Sequence, residues 1–205
     1  ESPNAVASIA ALADLYLTAS ANDDARVLLT DALAKGFGRS NPADLARLKL
    51  QLSTVEIRAG QAAKARRLLN EAKAVWVSEP DKYLRETVIS ADVESTILWE
   101  EGKPGQAITL LQDNMARAEQ ANSAYDRDLV WYYHKLATFL AEQKRGGEAA
   151  SVIGHGLETL AARNQAQTDP ALLLRRFQAE IVSQNGDDTR AEQMLRTTIL
   201  DRQKL

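Results

Sequence analysis

Five stretches of the chain carry the same arrangement of small and aliphatic residues at nearly constant spacing. The clearest is Gly60-Gln61-Ala62-Ala63-Lys64-Ala65-Arg66-Arg67-Leu68-Leu69-Asn70-Glu71-Ala72. A glycine closes one helix, a polar turn follows, and the next helix opens on Ala65. Leu69 comes four residues later and Ala72 three after that, so all three share one helical face. Small residues at two levels of that face let a second helix approach closely. The same triplet recurs as Ala25/Leu29/Ala32, Ala107/Leu111/Asn114, Ala149/Ile153/Gly156 and Ala191/Leu195/Thr198. The leading alanines are separated by 40, 42, 42 and 42 residues. A period this regular specifies a helical repeat array.

The pattern predicts five helix hairpins, roughly 5–38, 42–79, 81–121, 125–163 and 170–203, in one domain covering residues 1–205. In the first, a helix over 5–19 carries Ile9, Leu12, Ala13 and Tyr16, and Asn22-Asp23-Asp24 offers caps to the next, which stops at Gly36-Phe37-Gly38. Asn41-Pro42 starts a helix to residue 59, and its partner runs from Gln61 to about 78, where Pro80 forbids continuation. Helices over about 81–101 and 104–121 meet around Gly102-Lys103-Pro104-Gly105. Helices over 125–143 and 147–163 meet across Lys144-Arg145-Gly146-Gly147. The last two, 170–185 and 188–203, meet across Asn185-Gly186-Asp187-Asp188.

Composition agrees and narrows the function. Glycine and proline number only 10 and 5, which favours helix. A net charge of −3 gives no general attraction to nucleic acid or anionic membranes, and no apolar run approaches the ~18 residues of a membrane span. The reading is therefore no nucleic-acid partner and no direct membrane insertion. Without cysteine there is no disulfide, thiolate metal site or cysteine nucleophile. That fits a soluble protein of cytoplasm or periplasm alike. The chain begins Glu1-Ser2-Pro3, which reads as a mature or excised piece whose targeting signal would be missing.

These hairpins resemble the tetratricopeptide repeat family. Ile9, Leu12, Ala13, Tyr16, Ala25, Leu29 and Ala32 stand at the family's signature spacing in the first repeat. Leu52, Ser53, Ala65, Leu69 and Ala72 match in the second, although Lys49 and Glu56 occupy places usually given to large hydrophobes. Ser95, Leu98, Ala107 and Leu111 follow in the third; Tyr133, Leu136, Ala137, Leu140, Ala149 and Ile153 in the fourth; Ala179, Val182, Ala191 and Leu195 in the fifth. The common repeat is 34 residues. The longer period looks like the variety found in kinesin light chains and bacterial signalling proteins. The resemblance implies an all-α, right-handed α-solenoid that binds a protein or peptide in a concave groove. It also leaves open a regulatory region of a larger bacterial signalling enzyme, such as a serine/threonine kinase.

By the same phase, Arg47, Gln51, Thr54, Asp92, Thr96, Trp99, Trp131, His134, Lys135, Thr138, Arg176 and Glu180 are expected on the groove. The family's clamp for a chaperone C-terminal carboxylate uses asparagine there, and this set has none. Tyr133 is expected in the core.

Nothing in the sequence assembles a catalytic site, and the reading is noncatalytic, with no metal and no cofactor. His134 and His155 have no further metal ligand at a recognisable spacing. Glu100-Glu101 point about 100° apart on a helix. Gly102-Lys103-Pro104-Gly105 lacks the glycine-rich run of a phosphate loop. Arg66-Arg67 and Arg175-Arg176 read as solvated faces or ion pairs between repeats. Met194, Leu195 and Ile199 form an apolar stripe with no following repeat in this chain, which predicts self-association or further sequence. Ala107 is expected at a close contact and Ala118 nearer the periphery.

Overall fold

The computed structural model describes residues 3–77, 79, 82–121 and 126–203. Among them there are eleven α-helices and no strand. The chain divides into two compact units, Glu1–Leu110 and Leu111–Leu205.

The first unit holds α1 (Pro3–Thr18), α2 (Asn22–Ala34), α3 (Pro42–Arg58), α4 (Ala62–Trp76), α5 (Leu84–Glu100) and most of α6 (Pro104–Asp113). α3 lies at its centre, packed by α1, α2, α4 and α5. It can do so because it is apolar on two faces. Leu48, Leu52 and Val55 join Ala13, Ala25 and Leu29 in one cluster. Ala46, Leu50 and Ile57 join Ala65, Leu69, Ala72, Trp76, Val93 and Ile97 in another. Trp76 is buried there, and its indole N–H donates to Ser90 Oγ at 3.3 Å.

The second unit holds α7 (Met115–Ala121), α8 (Asp126–Glu142), α9 (Gly146–Ala162), α10 (Asp169–Gln184) and α11 (Asp188–Arg202). α9 packs against both α8 and α10, while α11 packs against α10. Gly156 sits where α9 meets its neighbours: a Cβ there would lie 2.7 Å from Leu174 Cδ2 and 2.7 Å from Tyr133 Cδ2. A methyl group there would force the Tyr133 ring or Leu174 to shift.

The sequence period reappears in the hydrogen bonds. The leading alanines Ala25, Ala65, Ala107, Ala149 and Ala191 each donate to the carbonyl four residues back, at Ala21, Gln61, Lys103, Arg145 and Asp187. Those five residues in turn donate back across the turn to Tyr16, Glu56, Leu98, Leu140 and Val182. This second bond is the long-range bond of a Schellman cap, which needs one left-handed residue before it. Gly60, Gly102 and Gly186 supply that residue, with φ of 72°, 73° and 90°.

Some expectations change in detail. The cap of α2 is Ala21, with no side-chain hydrogen bond, and Asn22 is already helical. Asn41 behaves as expected, its side chain accepting from the Ala43 N–H at 3.0 Å. In the fourth hairpin Lys144 takes the left-handed place at φ 59°, and Gly146-Gly147 open α9 instead. The turn requires one such residue at a fixed distance from the helix end, and register decides which residue it is. The helix expected over 104–121 breaks into α6 and α7 at Asn114. Asparagine competes for local backbone groups and is a weaker helix former than Ala32 or Ala72 at the same lattice position. Ala118 is as fully buried as Ala107, so it is no peripheral position. The ends expected at 78, 81 and 125 lie outside the described residues.

Candidate site on the first helices of the hairpins

The expected groove residues fall on α3, α5, α8 and α10, and the two units use them differently. In the first unit several tie neighbouring helices together. Arg47 Nε donates to Glu86 at 2.7 Å, joining α3 to α5, and Arg47 Nη1 donates to Asp44 at 3.3 Å. Partial burial opposes the charge on Arg47, but these carboxylates outweigh it and hold its pKa above the ordinary value. Gln51 Nε2 donates to the Ala10 carbonyl at 2.9 Å and to Asp14 at 2.8 Å, joining α3 to α1. Thr54 donates to the Leu50 carbonyl and Thr96 to the Asp92 carbonyl within their own helices. Trp99 is half-buried.

In the second unit α8 and α10 build a compact aromatic patch. Trp131 lies one helical turn from His134 on α8, and Phe177 reaches the pair from α10. Ring centroids are 5.2 Å apart for Trp131 and Phe177, and 5.7 Å apart for Trp131 and His134, which meet edge to face. His134 stacks on Phe177 at 3.6 Å. Phe177 is buried, whereas Trp131 remains 49% exposed. The tryptophan is thus fixed at one edge and open at the other. Arg176 spreads over Phe177 at 5.0 Å and pairs with Glu180 at 3.3 Å. Glu180 also lies 3.9 Å from His134 Nε2. Burial pushes the His134 pKa down to about 4, helped by the nearby charges of Arg176 and Lys135, so the imidazole is neutral near pH 7. Lys135 and Thr138 flank the patch, both half-buried.

Phe177 was not singled out by sequence reasoning, yet it joins every ring of the patch. Its position beside Arg175-Arg176 drew attention to the charges. The available signal was its helical phase: it falls three residues before Glu180, on the same side of α10.

Two other polar clusters are structural in form. Tyr133 is buried as expected, and its hydroxyl donates to Glu119 Oε1 at 3.0 Å and approaches Thr159 Oγ1 at 3.3 Å. Burial raises its pKa. His155 Nε2 meets the same Glu119 oxygen at 2.8 Å, and Arg163 donates to the Glu119 carbonyl at 2.8 Å. In the first unit Glu56, only 2% exposed, lies 2.8 Å from Lys64 Nζ and 3.4 Å from Arg26 Nε. That explains a carboxylate at a position where the repeat usually has a hydrophobe: its charge is neutralised by cations from α2 and α4. Lys49 at the other departure pairs with Glu71 at 2.7 Å. Among the described residues no group of three or more histidine, cysteine, aspartate or glutamate side chains is placed to hold a metal ion, and no helix is long and apolar enough to cross a membrane.

No family model matches the sequence, and no curated protein matches it. Solved structures do match. The chain is similar to the nearly identical TPR-like repeats of a Podosopora anserina protein described as a kinesin light chain: TM-score 0.66, 20% identity, covering 100% of this chain and 98% of that one. A single-substitution variant of that protein gives a TM-score of 0.67 at 20% identity, covering 100% and 97%. Identity at this level speaks for architecture, and with the all-helical, hairpin-repeat structure it is decisive for that: the fold of this chain is that of the TPR-like helical repeats.

Proposed function

We propose that the chain is a noncatalytic protein-interaction module, and that the Trp131–His134–Phe177 patch on α8 and α10 is a contact point for a peptide or protein partner. The carrying observation is the tryptophan. Trp131 is held by two rings yet leaves half its surface in water. A rigid, partly exposed aromatic loses little conformational freedom on binding, and tryptophan and arginine are favoured anchors at binding hot spots. Arg176 and Glu180 beside it supply both signs of charge at a polar rim. The remaining groove residues are proposed as further contacts on α3, α5, α8 and α10, and residues 1–205 as one interaction module of five repeats.

The test uses a peptide selected from a random display library against the chain, titrated calorimetrically into the native protein and into Trp131→Ala. The expected result is a loss of binding greater than about 1 kcal/mol, the threshold for an energetically important interface residue. Unchanged affinity for every selected peptide would overturn the assignment.

A further inference from the structure

The face of α11 turned away from the core carries a symmetric pattern. Its inward stripe is Ala191, Met194, Thr198 and Asp201; Ala191 is buried, and Asp201 pairs with Arg175 of α10 at 3.1 Å. The stripe beside it is Glu192, Leu195, Ile199 and Arg202. Their 3-4-3 spacing is that of the contact positions of a two-helix coiled coil. Leu195 is 36% and Ile199 59% exposed. Glu192 and Arg202 stand three residues outside this apolar pair, one on each side.

We propose that this face binds a second copy of the chain, with the two α11 helices antiparallel. A two-fold axis between Leu195 and Ile199 sets Leu195 of each copy against Ile199 of the other. The same rotation sets Glu192 of each copy against Arg202 of the other. A face that satisfies itself under rotation makes a closed dimer. Charge also selects the direction, since a parallel pairing in register would oppose Glu192 to Glu192 and Arg202 to Arg202. The charges are available for exchange. Glu192 now pairs with Arg196 at 2.6 Å and Arg202 approaches Asp169 at 3.6 Å, and all four side chains are exposed. Such exposed pairs contribute little by themselves. A groove of ≈ 450 Å³ runs beside the stripe, lined by Ala179, Glu180, Ser183 and Leu195 among others, and gives the incoming helix an edge to lie along.

One helix pair buries less than the roughly 1,200 Å² below which interfaces are weak and transient, so the dimer belongs at high protein concentration. Sedimentation equilibrium of the 205-residue chain into the millimolar range tests it, with circular dichroism confirming that each variant is folded. The expected result is a monomer–dimer equilibrium, abolished by Ile199→Asp. Glu192→Arg should weaken it about tenfold, because like charges then meet twice. Combining Glu192→Arg with Arg202→Glu should restore it. A strict monomer throughout would overturn the proposal and leave the face to some other occupant. Growth beyond the dimer would overturn it as well, as would a charge reversal that has no effect or that the reciprocal reversal fails to rescue.

Discussion

α9 and α11 are written on the same lattice and stand in opposite environments. In α9 the three lattice residues Ala149, Ile153 and Gly156 are all buried. In α11 Ala191 is buried, Thr198 half-buried and Leu195 exposed. α9 has α8 on one side and α10 on the other, whereas α11 packs against α10. The lattice therefore specifies a face able to receive a helix, and burial comes from whichever neighbour is present. Stability in such an array is a sum of local terms and nearest-neighbour interfaces. Equivalent substitutions in the two helices must then have unequal effects.

The largest effect is expected at Ile153. It is fully buried, and Ile153→Ala should destabilise the second unit by about 2–5 kcal/mol in denaturant titration, through lost burial and the cavity left behind. Next comes a dependence on pH. His134 has a folded-state pKa near 4 against an ordinary value near 6.5. The unfolded chain therefore takes up a proton first as pH falls, and stability is lost between about pH 6.5 and pH 4. The loss is of order 2 kcal/mol after allowing for the partial exposure of the ring. His134→Gln should flatten that limb of the stability profile; an unchanged profile would mean that α10 does not hold the imidazole out of water.

Gly156→Ala should cost about 1–3 kcal/mol by overpacking, since its Cβ would meet Tyr133 and Leu174. Thermal unfolding measures it, and a neutral or stabilising outcome would show that the helix crossing can relax. The smallest effect belongs to α11. Leu195→Ala, measured on dilute protein, should cost about 1 kcal/mol, because more than a third of that residue is already in water.

The sequence made the architecture readable because repetition averages over local ambiguity. Ala25, Ala65, Ala107, Ala149 and Ala191 could be aligned without any knowledge of contacts, and each proves to be buried at the same hydrogen-bonded position. Leu195 and Ile199 of the expected apolar stripe are exposed, whereas Met194, expected beside them, is half-buried on the inward side of α11. Other features were not legible. The burial of Ala118 depends on what packs over it, the use of Lys144 in place of a turn glycine on the register of the helix end, and the break at Asn114 on a local preference that the repeat pattern masked. The aromatic patch was half legible. Trp131 and His134 share one helix and announced themselves by density, but Phe177 enters from another, and no single-helix pattern connects it to them. Arg47 and Gln51 were placed on the right helix, and the sequence could not show that Glu86, Ala10 and Asp14 already bond them.

Native-state hydrogen exchange compares α9 with α11 most directly, read at the amides of Ile153 and Leu195 under dilute conditions. The opening free energy at Ile153 is predicted to approach that of unfolding the whole unit. At Leu195 it should be lower by more than about 1 kcal/mol, reflecting local opening of the less covered helix. Equal protection at the two amides would contradict the account, because it would mean that the lattice buries α11 as well as it buries α9.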